Sequence, residues 1–267
     1  MVIAFFSPVR GQAGTTGNLL STAIIETICQ KKKVMVLESF LGESDMEKYL
    51  LKIPRQHNGK EIQEGHGMDT VIRNIKLSGL EKSRFNESCY SFFEGKLCIL
   101  PASRQRETEI FTQEMETYLP AILNFADTLF DYVFVDIKDG KERISQYVQK
   151  RADCVAVNLS QSPAAIETYF KNGDTNEKKK IYLIGNYDKK SQYNRRNLSY
   201  LFPKMNRRNT VVIPYNTQVK DALESADLLR FHRKYAGCDK KNKNYKYVQG
   251  IQAAGKLFQK REGAGCD

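Results

Sequence analysis

Val2-Ile3-Ala4-Phe5-Phe6-Ser7-Pro8-Val9-Arg10-Gly11-Gln12-Ala13-Gly14-Thr15-Thr16-Gly17-Asn18 is the stretch that decides the fold. Val2 to Phe6 is a short apolar run that reads as a buried strand. With no basic residues ahead of it and no small-residue cleavage site, it does not read as a signal peptide. Ser7 to Gly17, rich in Pro, Gly and Thr, reads as a loop. From Asn18 a helical pattern runs through Leu19, Leu20, Ala23, Ile24, Thr27 and Ile28. Lys31 to Lys33 close it, where cations suit a helix carboxyl end. Val34 to Leu37 is a second buried strand. Strand, loop, helix, strand is a βαβ unit, and such units imply a parallel sheet.

In a doubly wound sheet ligands bind beyond the carboxyl ends of the strands, and the first βα loop is the usual phosphate cradle. Glycines such as Gly11 and Gly14 let successive backbone N–H groups turn toward an anion. Thr16 offers a hydroxyl to Mg²⁺, as the Ser/Thr of a P-loop does. The strict pattern G-x-x-x-x-G-K-[ST] fails twice: Val9 stands at the first Gly, and Thr15 stands at the Lys that reaches the β- and γ-phosphates. Taken alone, the loop is open to two readings, a phosphate cradle or a glycine turn with no ligand.

Working outward, Leu97–Leu100, Tyr132–Val135, Cys154–Val157, Ile181–Ile184 and Val211–Ile213 read as further strands. Helical stretches are expected over Asp69–Leu80, Glu107–Phe125 (interrupted at Pro120), Arg143–Lys150, Pro163–Phe170, Arg195–Phe202, Gln218–Leu229 and Tyr247–Lys260. The region from Gly42 to Gly95 is otherwise hard to read. Thr175–Lys180 and Asp239–Lys246 read as charged loops. This alternation predicts an α/β, doubly wound, mostly parallel sheet with helices on both faces. A single domain over residues 1–262 and a flexible tail at 263–267 are expected.

The chain has 267 residues, 41% hydrophobic and 27% charged, a balance that excludes disorder throughout. At about 150 residues per domain the length alone allows one or two domains. No apolar run approaches the ~20 residues of a membrane-spanning helix. Six cysteines form no C-x-x-C pair and have no His at a metal-ligand spacing, so the cytoplasm is the expected compartment. The net charge of +11 concentrates in the second half, in Lys178-Lys179-Lys180, Lys189-Lys190, Arg195-Arg196, Arg207-Arg208 and Lys240-Lys241. Such runs are either a solvated surface or a face for nucleic acid, acidic lipid or an acidic protein.

Several motifs in series resemble the ParA/MinD family of P-loop ATPases, whose deviant Walker A reads lysine-Gly-Gly-x-Gly-lysine-Thr-Thr. Arg10 lies at the family's signature lysine. Gly11, Gly14 and Thr16 match, while Gln12 replaces a glycine, Thr15 the second lysine and Gly17 the second threonine. Phe130-Asp131-Tyr132-Val133-Phe134-Val135-Asp136 is similar to its Walker B strand, and Asp139-Gly140 to its D-x-P-x-G with Lys138 in place of proline. Ala152-Asp153 ahead of the next strand is also typical of the family. Ile184-Gly185-Asn186 resembles the strand end whose Asn reads adenine. Val212-Ile213-Pro214-Tyr215-Asn216 resembles the I-P-x-D turn beside the base, and Val219-Lys220-Asp221-Ala222 the helix step after it. The resemblance spans Val2 to about Leu229.

The resemblance implies a cofactor site for ATP or ADP with Mg²⁺. It would be built from Arg10, Gly11, Gln12, Ala13, Gly14, Thr15, Thr16, Gly17, Asn186 and Pro214, with Thr16 and Asp136 toward the metal. Its catalytic parts are reduced. Glu38 matches the first acid after the second strand, but Phe40 stands where a carboxylate would orient the attacking water, and a phenyl ring cannot do so. Any chemistry falls to Arg10, Glu38 and Asp136. Loss of a few kcal/mol of phosphate stabilisation costs ~100-fold or more in rate, so weak or absent hydrolysis is expected. Arg10 is always charged and grips phosphate bidentately, so it can preserve a nucleotide-linked homodimer.

The wording S-P-V-x-G-Q-x-G-T-T is most similar to TadZ/CpaE-type members, localisation factors of Flp-type pilus and secretion machinery. That branch usually carries a receiver-like domain ahead of the ATPase domain, whereas this sequence opens at its first strand. Two other classes stay open. One is a partition-type ATPase binding DNA non-specifically through the basic second half. The other is a MinD-like membrane-surface protein using the stripe Ile251, Ala254, Leu257 and Phe258, flanked by Lys256, Lys260 and Arg261. That stripe reads first as a helix packed on the domain.

Overall fold

The computed structural model describes residues 1–9, 11–52, 65–105, 107–138, 142–171 and 179–262. In chain order the elements are β1 (Val2–Phe6), α1 (Thr15–Gln30), β2 (Val34–Glu38), α2 (Asp45–Leu50), α3 (Met68–Ser78), α4 (Lys82–Glu87), β3 (Tyr90–Phe92), β4 (Leu97–Leu100), α5 (Thr108–Leu129) and β5 (Tyr132–Asp136). They continue with α6 (Arg143–Arg151), β6 (Cys154–Leu159), α7 (Pro163–Lys171), β7 (Lys180–Tyr187), α8 (Arg195–Leu201), β8 (Thr210–Pro214), α9 (Thr217–Glu224), α10 (Leu228–Tyr235) and α11 (Tyr245–Glu262). Arg10, His57, Asp139, Gly140, Lys178 and the expected tail at 263–267 lie outside the described residues.

The strands form one sheet in the order β3-β4-β2-β5-β1-β6-β7-β8. All pairings are parallel except the edge pair β3–β4. Strand side chains alternate between faces, so each face has its own core. Val2, Ala4 and Phe6 of β1 join Met35, Leu37, Val133 and Val135 under α3 to α8. Ile3 and Phe5 join Val34, Val36, Tyr132 and Phe134 under α1, α2, α9, α10 and α11. Near-continuous apolar strands are what a sheet covered on both faces requires.

The last helix belongs to the second core. Ile251, Ala254 and Phe258 are fully buried. The Phe258 ring lies 5.7 Å from Phe5 and 5.8 Å from Phe134. The apolar stripe of α11 is therefore spent on packing. Among the described residues no helix is long and apolar enough to cross a membrane.

Four sequence expectations change. The expected break at Pro120 is absent: α5 runs through it to Leu129. Proline removes one helical hydrogen bond, but Phe111, Met115 and Leu119 before it and Ile122, Leu123 and Ala126 after it are held on the same face of the sheet. The single helix expected over Gln218–Leu229 is two, because Ala226 adopts a left-handed φ of 54° between α9 and α10. The turn lets Leu228 and Phe231 reach the core. The first helix starts at Thr15, inside the loop, and the loop expected over Asp239–Lys246 gives way to α11 at Tyr245.

One buried group in this layer carries a testable consequence. His232 on α10 is fully buried, and neither ring nitrogen has a hydrogen-bond partner. Burial pushes its pKa down to about 3. An unfolded histidine protonates near pH ~6.5, so this contribution is intact above that pH and drains away as pH falls toward 3, at ~1.4 kcal/mol per unit. His232→Phe is expected to flatten the loss of stability between pH 6.5 and 5. Urea unfolding at several pH values measures it, and identical acid slopes for both proteins would refute it.

Candidate phosphate-binding site

β1 carries the chain to the carboxyl edge of the sheet, where Ser7 begins the loop. The Ser7 hydroxyl donates to the Val9 carbonyl at 2.8 Å. Gly11 and Gly14 take φ values of 77° and 63°, the left-handed region that side chains disfavour. Gly14 is also the residue before α1, and no side chain caps that helix. The N–H groups of its first turn lack intrahelical partners and carry the positive end of the helix dipole. A pocket of about 300 Å³ opens there, lined on this side by Gly11, Gly14, Thr15, Thr16 and Gly17.

The back of the loop is clamped to the sheet. Asn18 donates to the Ala13 carbonyl at 2.9 Å and to Asn158 Oδ1 of β6 at 3.1 Å. The Asn186 amide of β7 donates to the Gln12 carbonyl at 2.9 Å. Between them Gly185 lies against the loop so closely that an added Cβ would sit 1.9 Å from the Ala13 carbonyl oxygen. Gly17 has its own packing reason: a Cβ there would meet Leu223 of α9 at 3.1 Å.

The facing wall comes from β5 and α2. The buried Asp136, last residue of β5, accepts a 2.8 Å hydrogen bond from the Thr16 hydroxyl. Ile137 and Lys138 follow it along the pocket. Asp45 and Tyr49, one turn apart on α2, complete this side. Ser44 caps α2 by accepting from Glu47 N–H at 3.1 Å, and Arg104 ties Glu47 down at 2.6 Å. Burial raises the Tyr49 pKa, with Asp45 and Glu224 adding to it.

Glu38 does not line the pocket. It pairs in register with Asp136 across the sheet and accepts from the Ala102 N–H at 3.0 Å and the Met46 N–H at 3.3 Å. Burial lifts its pKa to about 8, and the charge of Asp136 works in the same direction. Burial thus favours its protonated form, and its oxygens brace the start of α2. Phe40 is buried, 5% exposed.

The structure thus gathers Gly11, Gly14, Thr15, Thr16, Gly17 and Asp136 about one pocket. Gln12 and Ala13 present carbonyls to the clamp instead. Asn186 is the next-to-last residue of β7 and Pro214 the last of β8, and neither lines the pocket. Asp45 and Tyr49 were missed by sequence reasoning. Their signal was Ser44-x-x-Glu47, a capping box ahead of a short helix.

Thr16 and Asp136 supply hard oxygen donors of the kind Mg²⁺ takes, one carboxylate beside substrate phosphates and water. No cluster of three or more His, Cys, Asp or Glu suited to a metal occurs among the described residues. The residues therefore suit a magnesium ion arriving with a phosphate ligand.

No protein-family model matches the sequence, and no curated protein matches it. Solved structures do. A ParA family ATPase from Chlorobium tepidum TLS superposes with a TM-score of 0.71 at 13% identity, covering 95% of this chain and 98% of its own. The fold is that of the ParA and MinD ATPases. Another with this ParA/MinD fold is a plasmid partition protein of Borrelia burgdorferi B31 bound to AMPPNP (TM-score 0.64, 12% identity, 97% and 98% covered). A third is the septum site-determining protein MinD of Pyrococcus horikoshii OT3 complexed with Mg-ADP (TM-score 0.65, 13% identity, 98% and 97% covered).

The basic half of this ParA/MinD fold is only partly free surface. Arg195 is held by the Thr210 carbonyl at 2.6 Å and the Arg207 carbonyl at 3.3 Å. Lys189, Lys190, Arg196, Lys204, Arg207 and Arg208 are exposed. Tyr200, 85% exposed, stands among them.

Proposed function

We propose that this chain binds ATP or ADP with Mg²⁺ and hydrolyses it slowly or not at all, serving as a nucleotide-dependent localisation factor. The observation that carries the reading is the 2.8 Å hydrogen bond from Thr16 to Asp136 at the uncapped start of α1. It joins a hydroxyl, a carboxylate and unpaired N–H groups around one anion-sized space. Slow turnover follows from Thr15, which offers no ammonium, and from Phe40, which cannot orient water. Arg10, by its place in the sequence, would link nucleotide to homodimer formation. A pilus or secretion apparatus is the cargo that the loop wording suggests.

Calorimetry with Mg-ATP and Mg-ADP tests the first step, and no heat at millimolar nucleotide would end it. Asp136→Asn is expected to weaken Mg-nucleotide binding by ~10–100-fold while changing binding in EDTA little. Equal magnesium dependence in mutant and parent would remove Asp136 from the site.

A second reading is favoured by the exposed cations around Tyr200. It makes the chain a partition-type DNA binder, since phosphate contacts need only distributed Lys and Arg. Binding to random duplex should then fall steeply with salt, and none at ~50 mM salt would dismiss it.

A further inference from the structure

The pocket has an unusual charge balance. Its P-loop wall offers Thr15 where a lysine would meet phosphate, and its other wall offers the carboxylates Asp45 and Asp136. Lys138 is the cation among the described lining residues. It stands two residues beyond Asp136 and lines the same pocket as Thr15 and Thr16. We propose that Lys138 supplies, from the β5 side, the phosphate-neutralising charge that Thr15 does not. This rests on the nucleotide-binding reading above.

The geometry supports a movable cation. The Lys138 ammonium pairs with Glu142 at 3.1 Å, and both side chains are nearly half exposed. Exposed pairs of this spacing are weak, so an arriving phosphate, with more charge than a carboxylate, outcompetes Glu142. A lysine stem is flexible and its head is a compact point charge, which suits a reach across a small pocket. Without Lys138 the described lining carries the carboxylates Asp45 and Asp136 and no cation, so a polyphosphate would lose an attractive charge on this wall.

Titration calorimetry of the full chain with Mg-ADP and Mg-ATP tests it in four proteins. Lys138→Ala is expected to lose at least tenfold in affinity for both nucleotides, with its ligand-free thermal unfolding unchanged. Adding Thr15→Lys to Lys138→Ala is expected to restore most of that loss. Glu142→Gln is expected to bind as tightly as the parent or tighter. Lys138→Ala binding within twofold of the parent would overturn the proposal while leaving the nucleotide reading intact. So would a tenfold loss in Glu142→Gln, which would make the pair a structural strap. A parent protein that binds neither nucleotide would defeat the nucleotide reading itself.

Discussion

Gly185→Ala is expected to destabilise the protein by about 3 kcal/mol or more, the upper end of overpacking costs, and to abolish measurable nucleotide binding. The new Cβ would lie 1.9 Å from the Ala13 carbonyl oxygen and 2.8 Å from its carbon. Both are main-chain atoms, so no side chain can rotate away. The strand or the loop must move. If the loop moves, Ala13 leaves the Asn18 amide that now donates to it at 2.9 Å. Gln12 leaves Asn186 in the same displacement. A control is available: a Cβ at Gly237 would meet nothing within 4 Å. Urea unfolding of Gly185→Ala beside Gly237→Ala measures the difference. Equal stabilities would mean that loop and strand are not rigidly apposed.

The second large effect concerns Glu38. Its folded pKa is raised to about 8, by burial first and by Asp136 in addition. In the unfolded chain it ionises near 4.5. Between those values the folded protein holds the proton and the unfolded chain does not, so stability falls as pH rises. At ~1.4 kcal/mol per unit the loss reaches up to about 4 kcal/mol by pH 7.5. Glu38→Gln is neutral at every pH, but it has a single acceptor oxygen, whereas the Ala102 and Met46 N–H groups bond different oxygens of Glu38, so one of them loses its acceptor. It is therefore expected to remove this slope in magnesium-free buffer, with a pH-independent loss of about 1–3 kcal/mol for the N–H left without an acceptor. Parallel stability curves from pH 5 to 8 would rule this out. His232 acts in the opposite sense, so the two slopes oppose each other between pH 4.5 and 6.5, and above 6.5 the Glu38 slope stands alone.

How much could be foreseen follows from residue type and length. The order strand, loop, helix, strand from Val2 to Leu37 was plain because its apolar runs are long and its loop is dense in glycine. Asp136 was singled out because the run that it ends, Phe130–Asp136, resembles the family's Walker B strand. The three-residue β3 and the six-residue α2 and α4 were not, since elements that short hold too few side chains to show a period. Asp45 and Tyr49 went unnoticed for the same reason. Pro120 misled because tertiary packing outweighed one missing hydrogen bond. Ala226 misled because nothing in an alanine announces a left-handed turn. The clamp by Asn18, Gly185 and Asn186 joins residues far apart in sequence, and only the sheet order brings them to one place.

The same sheet order governs how the chain must be made. β1 is flanked by β5 and β6, with Val2 opposite Val133 and Ile3 opposite Cys154. Nothing between residues 7 and 131 can satisfy its edges in the native arrangement. At ribosomal rates of about 5–20 residues per second, β1 waits roughly 7–25 s for its first neighbour. During that interval an apolar strand with two open edges is a template for wrong pairing. Synthesis therefore leaves the first strand open until β5 and β6 are made, and a holdase should matter more for yield than for the stability of the finished protein.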